Sequence, residues 1–184
     1  MARSVQAFAP QQRSRGDNQV VDTYLAIASK RDTRRYADRP IPADAERRIL
    51  DAGRVAGSSQ NRQPWRFLVV EDAERRKRLA DAVYEPDNVR GAQLVVAIVG
   101  TRPLDLGRCV QNMMLAAWND GVASCPNGIA DPEWAAAVLG LEEAPALVLT
   151  FGHPARHAGA ESRTAEEWSA RADRRPLDEI VERV

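Results

Sequence analysis

Residues 30–70 read KRDTRRYADRPIPADAERRILDAGRVAGSSQNRQPWRFLVV. The stretch opens on four basic side chains in six positions: Lys30, Arg31, Arg34 and Arg35. Pro40 and Pro42 break the chain and begin a helix. Asp44 and Glu46 fall in its first turn, with Arg47, Arg48 and Arg54 later, as a helix dipole prefers. Ala45, Ile49, Ala52 and Ala56 recur at helical spacing and predict one buried, small-residue face. Gly53 inside that helix costs about 1 kcal/mol of propensity, which points to a close neighbour. The helix closes on the polar turn Gly57-Ser58-Ser59-Gln60-Asn61, then Gln63-Pro64-Trp65, before an apolar strand at Phe67–Val70. A cationic cluster and a small-residue amide turn joined by one helix suit a ligand with an anionic end and a flat polar end.

Further along, the chain alternates strands with helices. A charged helix is expected near Ala73–Val83, ending before Pro86, then an apolar strand at Gln93–Val99. Leu106–Asp120 is apolar nearly all round, the mark of a helix buried in a domain centre or across a subunit interface. Ser124-Cys125-Pro126-Asn127-Gly128 reads as a turn, followed by a helix from Asp131 to Leu139 and a third strand at Ala146–Phe151. The segment His153–Glu167 reads as loop, and a first helix is expected from the cap Asp22 through Tyr24, Leu25 and Ile27. Residues 1–19 are polar and aperiodic and predict an N-terminal arm; residues 20–184 form one domain. A helix-flanked sheet follows, α+β or α/β.

Composition narrows the function classes. Lys+Arg and Asp+Glu both number 26, and a neutral chain of this kind argues against a nucleic-acid partner. No apolar run reaches the roughly 20 residues of a membrane span. Two cysteines give no disulfide framework, and the chain is expected in the cytoplasm. His153 and His157 are four apart with no paired cysteine near, so no metal site is expected and both are placed at the surface. No dinucleotide fingerprint or Gly-rich phosphate loop occurs.

The Arg-rich opening, the SSQNRQPW run, DLGRCVQNMMLAAWNDGVAS at 105–124 and RRPLDEIV at 174–181 together resemble the FMN-dependent nitroreductase family, over roughly residues 24–184. The resemblance implies a mixed sheet wrapped by helices in an intertwined homodimer, α+β, with FMN held at the interface by both subunits. Lys30, Arg31 and Arg34 match the family's phosphate-gripping turn, and Arg174 a C-terminal arginine that meets the same phosphate. Asp32 stands where serine is more usual, although the flavin-fragmenting branch carries aspartate there, and is expected to orient an arginine or a ribityl hydroxyl. Ser58, Ser59 and Asn61 match the turn that contacts the flavin of the opposite subunit, with Gly57 where proline is common, and Gln63 is expected either to contact the flavin or to satisfy buried backbone. Pro126, Asn127 and Gly128 match the loop beside the hydride-accepting nitrogen, and Asn88 aligns near the ribityl chain or pyrimidine edge.

What the resemblance implies chemically is an NAD(P)H-dependent oxidoreductase that reduces nitroaromatics or quinones by a ping-pong hydride mechanism, with no proton-transferring side chain identifiable. Alternatives are another flavin reaction on the same scaffold (flavin fragmentation, or dehydrogenation of a biosynthetic intermediate) and a flavin-binding protein without turnover. For the basic cluster, a solvated charged face is the plain alternative; for the amide turn, a helix cap and loop.

Overall fold

The computed structural model describes residues 22–156 and 159–184; the arm expected over residues 1–19, and His157, lie outside them. Helix α1 (Thr23–Ser29) starts where the Asp22 carboxylate accepts from the Tyr24 and Leu25 amides. Helix α2 (Ala43–Arg54) follows the two prolines and buries Ala45, Ile49 and Gly53. Then come strand β1 (Arg66–Val69), α3 (Ala73–Ala80), short α4 (Pro86–Arg90) and β2 (Leu94–Val99). The long helix α5 (Pro103–Asn119) leads to β3 (Ala123–Asn127), α6 (Pro132–Leu139), β4 (Leu147–Gly152) and α7 (Ala165–Arg171).

The strands form one sheet in the order β1-β2-β4-β3. Each pair is antiparallel: Arg66 lies opposite Val99, Leu94 opposite Phe151, and Ala123 opposite Gly152. Successive side chains point to opposite faces, so the apolar run of β2 feeds two cores. Val96 and Ile98, with Leu149 and Phe151 of β4, pack against Ile49 of α2 and Met113 of α5. Val95 and Ala97, with Val148, pack against Leu79, Val89 and Val138 of α3, α4 and α6. Gly53 has the close neighbour its position implied: a Cβ there would stand 2.8 Å from the Met113 Cγ.

The resemblance implies a mixed sheet; among the described residues the four strands pair antiparallel, and a parallel bridge joins Asp32 to Ser124. The expected turn at Ser124–Gly128 is mostly strand, β3. Ser, Cys, Pro and Asn are weak strand formers, and Pro126 is tolerated because β3 is an edge strand pairing with β4 alone. The expected loop at His153–Glu167 contains the start of α7. Thr164 and Glu167 form a reciprocal capping box there, a Thr-x-x-Glu signal present in the sequence. His153 is buried at 9% exposure, not superficial; its Nδ1 lies 3.3 Å from the Gly121 carbonyl. Among the described residues no helix is long and apolar enough to cross a membrane.

Candidate functional site

Residues 30–36 leave α1 in extended form and run beside the edge strand β3. The Thr33 amide donates to the Ser124 carbonyl at 3.0 Å, and Ala37 to His153 at 2.8 Å. Arg31 builds this turn from within. Its guanidinium donates to the carbonyls of Ala28 (2.7 Å), Lys30 (2.9 Å) and Trp168 (2.8 Å) and lies 5.3 Å from the centre of the Trp168 ring. Arg163 approaches the same ring at 4.9 Å. Three carbonyls leave Arg31 few donors for a ligand, so its geometry is that of a clamp between α1 and α7. Arg174 follows α7 and is exposed.

The Lys30 ammonium is only 10% exposed, 2.5 Å from an Asp32 carboxylate oxygen and 3.2 Å from the Met114 sulfur. Asp32 therefore engages the lysine, not an arginine. Arg34 is exposed and has no partner among the described residues. Of the turn's residues that match the phosphate grip (Lys30, Arg31 and Arg34), Arg34 has its guanidinium open to an anion; Arg35 beside it is exposed as well.

The amide turn sits elsewhere. The Ser59 amide points at the buried Asp105 carboxylate at 3.4 Å, and the Arg108 guanidinium lies against Gly57. Ser58 Oγ accepts from the Gln63 amide at 2.8 Å, and Gln63 Nε2 lies 3.3 Å from Asn61 Oδ1. Gln60, Asn61 and Gln63 take φ of 54°, 53° and 49°, a left-handed conformation that costs a non-glycine residue roughly 1–2 kcal/mol. Three such residues in four positions are strain that the surrounding contacts must hold, a pattern common at ligand clamps. A groove of about 990 Å³ runs between α2 and Trp65 and Phe67; of the candidate residues it touches Gln63 alone.

Helix α5 measures the distance between the two turns. Asp105 and Arg108 face the amide turn, whereas Met114 meets Lys30 and Trp118 donates to Ser29 Oγ at 2.8 Å. Positions 105 and 114 are separated by about 14 Å of helix rise. One chain does not bring the basic turn and the amide turn together.

Strand β3 does join the basic turn to Gly128. Ser124 pairs with the turn at one end, and four residues on, about 13 Å at strand rise, lies Gly128. Asn127 and Asn88 face inward. They are 4% and 2% exposed, and the Asn88 amide donates to Asn127 Oδ1 at 2.6 Å. Asn127 Nδ2 donates to the Val148 carbonyl (3.0 Å), the Cys125 carbonyl (3.1 Å) and Thr150 Oγ1 (3.2 Å). Tyr36 closes the group, its hydroxyl 2.9 Å from Thr150 Oγ1. Burial pushes the Tyr36 phenol well above its usual range and raises the Cys125 thiol, so both stay neutral near pH 7.

Pro126 has no N–H to give a ladder, so its position faces away from β4, and Gly128, two residues on, faces the same way. The Gly128 carbonyl accepts from the Tyr84 amide at 3.2 Å. Its N–H has no acceptor among the described residues. Reading the sequence did not single out Tyr36, Thr150, Asp105 or Trp168. Each acts through a contact dozens of residues away, and no local pattern announces it.

An α+β sheet with helices on both faces, an extended basic turn along its edge strand and an unspent amide at that strand's far end define a small ligand-binding domain. The chain belongs to the Nitroreductase family, whose model matches residues 27–102 and 99–153. It is 35% identical over 79 residues to an NADH dehydrogenase of Thermus thermophilus, covering 43% of this chain and 38% of that protein. It therefore spans well under half of that relative. A nitroreductase family protein from Clostridium difficile superposes with a TM-score of 0.74 at 25% identity, over 88% of this chain and 98% of its own. A protein from Desulfovibrio desulfuricans, assigned as a nitroreductase and solved with FMN, gives 0.71 at 29% identity over 89% and 98%.

Proposed function

We propose that the chain is an FMN-dependent oxidoreductase that works as a homodimer and uses NAD(P)H to reduce small electron-poor acceptors. The observation that carries this is the separation of the two turns along α5. The basic turn and Gly128 of one chain would hold the phosphate and ring of an FMN, and the amide turn, about 14 Å away along α5, would be left for the FMN of a second subunit. The Desulfovibrio relative, similar over most of its length, holds FMN.

The residues present fit that group. Arg34, with Arg174 from the C-terminal segment, offers guanidiniums to the phosphate, whereas the Lys30 charge is neutralised by Asp32. The Gly128 N–H has no acceptor among the described residues, while the Tyr84 ring lies 3.2 Å from where a Gly128 Cβ would stand and so lines the same place. Gly57, Ser58, Ser59, Asn61 and Gln63 supply exposed amides and hydroxyls for alternating carbonyl and N–H groups at a ring edge. The side chains of Asn88, Asn127 and Arg31 are engaged inside the protein and support their neighbours, and Pro126 has no N–H to offer on the outer side of β3.

When bound, FMN supplies a two-electron carrier between NAD(P)H and an acceptor such as a nitroaromatic or a quinone, in ping-pong order. The chain's own part is to bind the phosphate, exclude water from the ring and direct backbone dipoles at the charge that develops there. Dimer formation is favoured by exposed apolar side chains in the C-terminal segment, Leu177 (71%), Ile180 and Val181, and by the outer edge of β1, which pairs with no strand among the described residues. Two unbridged, buried cysteines suit a reducing compartment such as the cytoplasm.

The test is direct. Purified protein should be a yellow dimer whose flavin absorbance bleaches on adding NADH or NADPH without oxygen and returns on adding a quinone. A colourless monomer indifferent to added FMN refutes the proposal. A bound flavin that never bleaches leaves only the binding part standing.

A further inference from the structure

The Gly128 N–H is held in place from behind. Its carrier, the end of β3, has a full ladder with β4 on one side; on the other, the described residues give it isolated bridges, at Ser124 to Asp32 and beyond Gly128 to Val83, and such a sparsely bonded edge can open locally. Asn127 counters this by directing its side-chain amide back across β4, to the Val148 carbonyl and Thr150 Oγ1. Asn88 in turn fixes the Asn127 side chain at 2.6 Å, from α4 on the far side of the sheet. Thr150 Oγ1 lies 3.3 Å from Asn88 Oδ1 and so touches both asparagines and Tyr36. Such densely bonded, buried networks favour one arrangement, because displacement leaves buried polar atoms unpaired.

We propose that Asn88, Asn127 and Thr150 are positioning residues that set the redox balance of the bound flavin through the Gly128 amide, without touching the ligand. This rests on the FMN reading given above. An N–H aimed at the ring stabilises the electron-rich reduced form more than the oxidised form. A network that holds this dipole in line therefore raises the midpoint potential, and loosening it lowers the potential while the phosphate grip persists.

The experiment compares wild type, Asn88→Ala, Thr150→Val and Arg34→Ala, each reconstituted with FMN. Dissociation constants are measured for oxidised FMN and midpoint potentials by anaerobic spectroelectrochemical titration. Asn88→Ala and Thr150→Val should bind oxidised FMN within about threefold of wild type, yet bind reduced FMN about tenfold less well, as expected for one misaligned hydrogen bond to a charged acceptor. For a two-electron couple that is a fall of about 30 mV. Arg34→Ala should weaken both forms together and leave the potential unchanged. An unchanged or raised midpoint in either network variant that retains FMN overturns the inference. Wild-type protein that takes up no FMN overturns the underlying reading instead. Thr150→Val keeps the side chain's shape and carries the test if Asn88→Ala does not fold.

Discussion

Adding one methyl group at Gly53 sets two known effects against each other. In an exposed helix, Gly→Ala stabilises by about 1 kcal/mol through propensity alone. Here the new Cβ would lie 2.8 Å from both the Cγ and Sδ of Met113 and 2.9 Å from Phe67 Cζ. Carbon contacts prefer about 3.5–4.0 Å, so close to 1 Å of displacement is needed where α2 crosses α5. Met113 is fully buried and can yield only by leaving its rotamer. Overpacking of this kind costs about 1–3 kcal/mol, which exceeds the propensity gain and leaves a net loss of about 1 kcal/mol. For a chain of this size the melting temperature should fall by about 2–4 °C, read by calorimetry at fixed protein and flavin concentration. In a double-mutant cycle, Met113→Ala should relieve the added methyl and give a coupling of about 1 kcal/mol or more. A rise in melting temperature for Gly53→Ala alone, or a cycle with no coupling, would show that the α2–α5 contact is looser than described.

Replacing Arg34 and Arg174 together with alanine should yield near-apo protein with unchanged circular dichroism; retained FMN would place the phosphate elsewhere. Asp32→Ser should lower the apo melting temperature, because it strands the buried Lys30 charge, while tightening FMN binding several-fold, since that charge becomes available to phosphate; weaker binding would mean Asp32 itself holds the ligand. Burial pushes the Cys109 thiol up to about 11 and raises Cys125 in the same direction. The folded protein thus keeps protons that the unfolded chain releases from about pH 8.5. The stabilisation is complete below that value and is lost as pH rises towards 11, at up to about 1.4 kcal/mol per unit for each group. Urea midpoints at pH 8 and 10.5 measure it, and a flat profile would contradict the burial of both thiols. Trp168→Ala should cost about 3–5 kcal/mol by chemical denaturation, since it removes the ring between Arg31 and Arg163; a loss below about 1 kcal/mol would deny the clamp.

Local signals carried far in this sequence. The proline break, acidic first turn and apolar period located α2, and the β-branched runs located β1, β2 and β4, because those elements are decided by neighbours a few residues apart. Strand β3 was hidden because Ser124, Cys125, Pro126 and Asn127 suit a turn locally. Partners on β4 and in the basic turn, more than twenty residues away on either side, override that preference. The site was legible as a set of residue types but not as a set of roles. Nothing in the order of residues 30–34 says that Arg31 turns back onto carbonyls, that Lys30 is claimed by Asp32, or that Arg34 alone stays open. The same holds for Asn88 and Asn127, whose amides suit a ligand by composition yet meet each other across the sheet.

The strand order also dictates when this protein can fold. β4 lies between β2 and β3, yet it is the last of the four to leave the ribosome, so a nascent chain stopped before Leu147 has no partner to set between them. Until then the apolar backbone of β2 stays unpaired on one side, a sticky intermediate for which chaperones exist. Sheet closure must await contacts some fifty residues apart, which favours slow, post-translational assembly over stepwise folding during synthesis.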